Sequence, residues 1–169
     1  MKYTILFFSI LFLNITLDLQ AQDKKFQAVF IYNFYKNIEW PASYKNQDFV
    51  IGVYGNSAVI PLLEKTVENR SAGGTYKFII KKINSIDEIG KCHMLYLPTE
   101  KSDLFPDIVK KLGGSSTLLI TEKAGLGGQG SAINFVLVND RLKFELNEYA
   151  FKKASLKVSS MFMKLAIVI

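Results

Sequence analysis

The sequence predicts an α/β fold: one domain with a mostly parallel central sheet, helices on its flanks and an antiparallel hairpin toward the C-terminus. Three observations carry that expectation. The short apolar runs "FVIGVYG", "CHMLYLP" and "STLLIT" have the character of strands buried on both faces. Between them lie segments with apolar residues at helical intervals, and strand alternating with helix signals a largely parallel sheet. After residue 130 the apolar period changes to two, as it does in a hairpin.

Each element has a local reason. "KKFQAVFIYNFYKNIEWP" (24–41) spaces Phe26, Phe30 and Phe34 four apart, with Val29 and Ile38 on or near the same face, which predicts a helix. Pro41 restricts Trp40 and should end that helix there. Residues 49–55 form the candidate central strand. "SAVIPLLEKTVENR" predicts a helix from a Ser57 N-cap, with Pro61 tolerated only near its first turn. Residues 75–83 predict a strand, "SIDEIG" a short helical turn, and residues 92–98 another buried strand. In "EKSDLFPDIVKKLGG", Leu104, Ile108 and Leu112 fall at helical intervals, and Gly113 stops the helix.

"GLGGQG" (125–130) has the G-x-G-x-x-G spacing of a dinucleotide-binding turn. That chemistry requires a strand entering and a helix leaving, so that backbone N–H groups and the helix N-terminus meet a pyrophosphate. In the segment that follows, Ile133, Phe135 and Leu137 alternate with Ala132, Asn134 and Val136. Beyond Asn139-Asp140, Leu142, Phe144 and Leu146 alternate with Arg141, Lys143 and Glu145, which makes a β-hairpin. The loop therefore exits into a strand, its glycines serve strand-to-strand linkage, and no cofactor is implied. In the last segment Val158, Phe162, Leu165 and Ile169 sit at helical spacing, predicting a terminal helical element docked on the sheet with Asn147 as its N-cap.

Residues 1–21 have the three parts of a cleavable export signal: Lys2, an apolar run from Tyr3 to Leu13, and a polar stretch leading to Ala21. The apolar run is shorter than the roughly 20 residues of a spanning helix. The expected domain is residues 22–169, exported to the periplasm. The only cysteine, Cys92, permits no internal disulfide, so stability must come from packing. The net charge of +6 is carried almost wholly by lysine, with Arg70 and Arg141 the only arginines. Dispersed lysine, and export itself, argue against nucleic acid as a partner.

Nothing in the sequence has a catalytic signature. Cys92 and His93 would point to opposite faces of a strand, so they cannot form a nucleophile–base dyad. One histidine and one cysteine do not suggest a metal site. Glu39-Trp40-Pro41 is more suggestive, because a tryptophan at a helix end beside a carboxylate can cap a small-molecule pocket, anchor a partner, or simply close the core edge. Tyr32, Asn33 and Tyr35 form the partly polar flank of that helix. Lys157, Ser159 and Ser160 lie at a break in the last segment, where hydroxyls and free backbone groups could hold an anion or merely be solvated. A second class of function, an exported ligand carrier or enzyme, would use the carboxyl ends of the parallel strands near Gly55 and Pro98.

Taken in order, "AVFIYNFYKNIEWP", "FVIGVYGNS", "CHMLYLP", "STLLITEKAGLGGQGSAINFVLVNDRLKFELN" and "LKVSSMFMKLA" resemble the YfiR-like family of small exported bacterial proteins. The resemblance implies a periplasmic, non-enzymatic α/β regulator. It would act on the sensor part of a membrane protein, a diguanylate cyclase controlling cyclic di-GMP and biofilm, or a histidine kinase. It also implies a homodimer and, for some relatives, a small aromatic ligand. Tyr32, Glu39, Trp40, Lys157 and Ser159 are the positions where partner or ligand binding is expected. The chain departs from some relatives in lacking the cysteines of a stabilising disulfide.

Overall fold

The computed structural model describes residues 22–44, 46–72 and 74–169. The expected export signal, residues 1–21, lies outside them. In chain order the elements are α1 (residues 22–37), β1 (Ile38–Glu39), β2 (Phe49–Tyr54), α2 (Val59–Val67), β3 (Ser71–Ala72) and β4 (Tyr76–Ile83). Then come β5 (Met94–Leu97), α3 (Phe105–Leu112), β6 (Leu118–Thr121), β7 (Ile133–Val138) and β8 (Arg141–Leu146). The chain closes with α4 (Glu148–Lys153), β9 (Lys157–Val158), α5 (Ser160–Met163) and β10 (Ile167–Val168). Two-turn 3₁₀ segments occupy Ile86–Lys91 and Thr99–Leu104.

The main sheet has eight strands in the order β10-β8-β7-β6-β5-β2-β4-β3. β4, β2, β5, β6 and β7 run parallel, and β7 and β8 form the antiparallel hairpin. Asn139 and Asp140 both take positive φ, 51° and 56°, the backbone that a tight two-residue hairpin turn requires. Successive strand residues serve opposite faces, so the sheet supports two cores. Ile51, Met94, Tyr96, Leu118 and Ile120 pack under α1, α2, α4 and α5. Tyr54, Leu95, Leu97 and Leu119 pack under α3 and the Ile86–Lys91 turn.

The loop at 125–130 passes through turns into β7, as expected, and no helix starts at Gly130. What holds it is a buried polar cluster. The Thr121 hydroxyl bridges Ser131 Oγ (2.8 Å) and Asn134 Oδ1 (2.7 Å), and Asn134 Nδ2 donates to Glu145.

Three local expectations need correction. α1 ends at residue 37 rather than at Pro41, because Ile38 and Glu39 leave the helix to pair with Val158 and Lys157 of β9. Its buried face is also rotated: Ala28, Ile31 and Phe34 are fully covered, whereas Phe26 and Val29 are exposed. The rotation follows from Gln27, which is drawn inward by hydrogen bonds to Tyr96 and Glu122. The single terminal helical element is instead α4, β9, α5 and β10. Phe162 alone of the four spaced residues is fully buried, and Leu165 and Ile169 are exposed. Asn147 does cap α4, accepting from the Ala150 N–H at 2.9 Å. Ser57 accepts from Val59 N–H, although Ala58 is the capping residue of α2.

Candidate functional site

The turn after α1 builds an aromatic cleft. Pairing of β1 with β9 pulls the chain out of the helix and swings Trp40 over Phe49, edge to face at 4.9 Å. The indole N–H donates to the Tyr35 carbonyl at 3.3 Å, which fixes the ring. Beside it opens a cleft of 460 Å³ lined by Tyr35, Trp40, Tyr44, Phe49 and Tyr76, with Lys36 and Glu39 supplying charges. Trp40 thus closes the edge of the core and walls a cleft at once. The ring faces are apolar and the charges are of both signs, an arrangement that suits a zwitterion or an aromatic side chain.

Of the expected site residues, the β1–β9 ladder brings Glu39 and Lys157 together, with Lys157 Nζ 3.9 Å from Glu39 Oε2 on an exposed surface. Such a pair contributes at most about 1 kcal/mol. Ser159 caps α5, accepting from the Phe162 N–H at 3.2 Å, and its own N–H donates to Asn37. Tyr32 stands apart. It is buried, with the Arg70 guanidinium 4.2 Å and the Lys36 ammonium 4.8 Å from its ring centre. Lys36 connects the two places, since it also lines the Trp40 cleft.

A polar centre that the sequence reading did not single out lies at the carboxyl ends of β5 and β6. The Tyr96 hydroxyl donates to Glu122 (2.6 Å) or to Gln27 (2.9 Å), and Glu122 further accepts from Lys24, Gln27 and the Thr99 N–H. Burial would raise the Glu122 pKa, but the Lys24 ammonium and these donors outweigh it and hold the carboxyl below its usual range. Burial, then the Glu122 charge, pushes the Tyr96 phenol far up, so it stays a neutral donor. A cleft of 640 Å³ opens beside this centre. The neighbouring crevice at Gly55 is different: the Lys101 side chain covers it, and a Cβ there would meet Lys101 at 3.3 Å.

Cys92 and His93 do face opposite ways. Cys92 joins the core beneath α3, and its burial pushes the thiol up to about 11, where little nucleophilic thiolate exists. His93 stacks on Phe49 at 4.5 Å, and its Nδ1 accepts from the Val50 N–H at 3.0 Å. Burial lowers its pKa below the ordinary 6.5, and protonating Nδ1 would break the Val50 hydrogen bond. Among the described residues no cluster of three or more His, Cys, Asp or Glu side chains is arranged to hold a metal.

A pH dependence follows. The folded pKa of His93 is depressed, so the unfolded chain takes up a proton first, and stability falls as pH drops below about 6.5. Glu122, also depressed, stabilises above the ordinary carboxylate range, and its contribution is lost as pH falls through its folded pKa. In urea titrations between pH 7.5 and 5.5, His93→Asn should show a flatter profile than the parent chain. Parallel profiles would exclude His93 as the source.

Two layers of packing around a mixed sheet, with aromatic and polar clefts at its margins, define this protein as a single α/β domain. The chain belongs to the YfiR/HmsC-like family, whose model matches residues 24–167. That family is one of periplasmic regulators. No curated protein matches the chain significantly. Among solved structures it is similar to the "ABC domain in complex with L-Trp" from Streptococcus pneumonia, with 15% identity and a TM-score of 0.48 over 72% of this chain. This chain spans 55% of the length of that one. No helix among the described residues is long and apolar enough to cross a membrane.

Proposed function

We propose that this protein is a periplasmic, non-enzymatic regulator that binds the sensor part of a membrane signalling protein and holds it inactive. A diguanylate cyclase that controls cyclic di-GMP and biofilm formation is the leading partner. One observation beyond family membership supports this reading: exposed apolar surface is concentrated in the C-terminal segment. Among the described residues, six of the ten exposed large hydrophobic residues fall between Tyr149 and Ile169, with Met161 78% and Leu165 66% exposed. Surplus apolar surface of this kind marks an interface. Regulation would work by differential affinity, the protein engaging the inactive sensor conformation more tightly than the active one.

The test uses the isolated sensor domain of a membrane cyclase encoded beside this protein. Binding at micromolar affinity or tighter is expected, and Leu165→Glu should weaken it at least tenfold by placing a charge in the interface, on the order of 2 kcal/mol. Unchanged affinity in that variant would remove the C-terminal segment from the interface; no binding by the parent would sink the partner assignment.

A second reading rests on the Trp40 cleft. Its five aromatic walls and paired charges favour a small aromatic metabolite as ligand or effector, with Glu39 and Lys36 meeting its polar ends. A thermal-shift series with aromatic amino acids should raise the melting temperature of the parent by mass action and leave Trp40→Ala unshifted. An equal shift in both proteins would place binding elsewhere.

A further inference from the structure

The glycine-rich loop leads into a strand rather than a helix, and it is one wall of a separate cleft. A space of 260 Å³ opens between the carboxyl end of α3, this loop and α4. Its walls are mostly apolar, chiefly Val109, Leu112, Leu119 and Ala150, with the polar side chains of Thr117 and Gln129 also lining it. Gly128 and Gly130 complete the wall with backbone alone. A Cβ on Gly128 would meet only the Gly125 carbonyl at 3.9 Å, and one on Gly130 would meet nothing within 4 Å. Both glycines line the space without placing a side chain in it.

Two further features give the cleft a chemical preference. Lys153, in the last turn of α4, is the only charged residue that lines it and takes part in none of the ion pairs among the described residues. Asn147 locks the parts together, its Nδ2 donating to the Gly127 carbonyl at 2.8 Å while its Oδ1 caps α4. The cleft is thus preformed, mostly apolar within and singly cationic at its rim. At 260 Å³ it falls just below the roughly 300 to 1,000 Å³ of drug-sized ligand sites, which limits it to a small ligand. The Trp40 cleft, by contrast, is walled by rings and carries both charges.

We infer that the cleft between α3, the 125–130 loop and α4 is a binding site for a small aliphatic carboxylate of the medium-chain fatty acid class. The chain lies against the Leu112–Leu119–Ala150 wall, and the carboxylate sits at the mouth facing Lys153. This site is separate from the Trp40 cleft and shares Tyr149 with the exposed apolar surface of the C-terminal segment.

The probes are hexanoate, octanoate and octanol, titrated calorimetrically into the purified protein. Each buried methylene should tighten binding about fourfold, so octanoate should bind on the order of 15-fold tighter than hexanoate. Octanol, lacking the charge, should bind roughly two- to fivefold weaker than octanoate, and Lys153→Gln should bring octanoate to the octanol level. Gly128→Leu, at a position outside the left-handed backbone region, fills the space and should abolish binding while the protein stays folded. Amide shifts in the 15N spectrum should gather at Gly128, Gly130 and Ala150. No saturable octanoate binding at millimolar concentration, equal binding of octanol and octanoate, undiminished binding by Gly128→Leu, or shifts centred on Trp40 would each overturn the assignment.

Discussion

Truncating Phe34 to alanine is expected to destabilise the protein by about 3–5 kcal/mol, measured as a fall in the urea midpoint at unchanged slope. Phe34 has no exposed surface, and its ring lies 5.3 Å from Phe144, 5.6 Å from Phe162 and 5.9 Å from Phe135. It therefore joins α1 to both hairpin strands and to α5. Removing the ring leaves a cavity among partners held by three different elements, and they cannot all collapse onto it. Set against a typical total of about 5–15 kcal/mol, the loss should leave a substantial unfolded fraction at physiological temperature. Phe34→Leu, which keeps much of the volume, should cost distinctly less. The same variant bears on function, because α5 and β10 carry the exposed apolar surface and are anchored through Phe162. A loss below about 1 kcal/mol would show that the aromatic cluster is not what closes this core.

Gly52→Ala should cost about 1–3 kcal/mol through overpacking. Gly52 sits in β2, between β4 and β5, and an added Cβ would lie 2.6 Å from Cys92 Sγ and 3.1 Å from Ile83 Cγ1. Neither neighbour can retreat, since both are buried in the core beneath α3. Cys92→Ala alone empties a packed site and should also destabilise. In the double variant the new methyl occupies space vacated by the sulfur, so the combined loss should be smaller than the sum. Simple additivity of the two losses would contradict the contact. The same packing explains why Cys92 is a poor nucleophile: the sulfur is covered by a glycine placed to admit it, and burial keeps it protonated. Thiol reagents should accordingly react with the folded protein far more slowly than with the urea-unfolded chain.

Much of this was legible in the sequence. The β7–β8 hairpin followed from alternation around Asn139-Asp140, and the loop at 125–130 could be separated from nucleotide binding because an alternating run follows it. The opposed directions of Cys92 and His93 followed from the strand period. Trp40 was legible as a residue that could either close the core or wall a cleft, and it does both. The family resemblance rested on several weak motifs in a fixed order, and the match over residues 24–167 bears it out.

The Tyr96–Glu122 centre was not legible in the same way. Its members are Lys24, Gln27, Tyr96 and Glu122, contributed by α1, β5 and the end of β6. The one available signal was Gln27, a polar residue on an otherwise apolar stretch of helix. Similarly, Lys157 and Glu39 acquire their relation only from the β1–β9 pairing.

Local pattern sufficed for the alternation of strand and helix, the hairpin, the glycine stop of α3 and the opposed directions of Cys92 and His93. Each of those depends on the periodicity or backbone preference of a few adjacent residues, which act before any distant contact forms. Long-range packing set where α1 ends, how it is rotated, and that the last segment breaks into β9, α5 and β10. In those places a distant partner supplied backbone hydrogen bonds and buried surface that outweighed local helical preference, and such partners have no signature in the neighbouring residues.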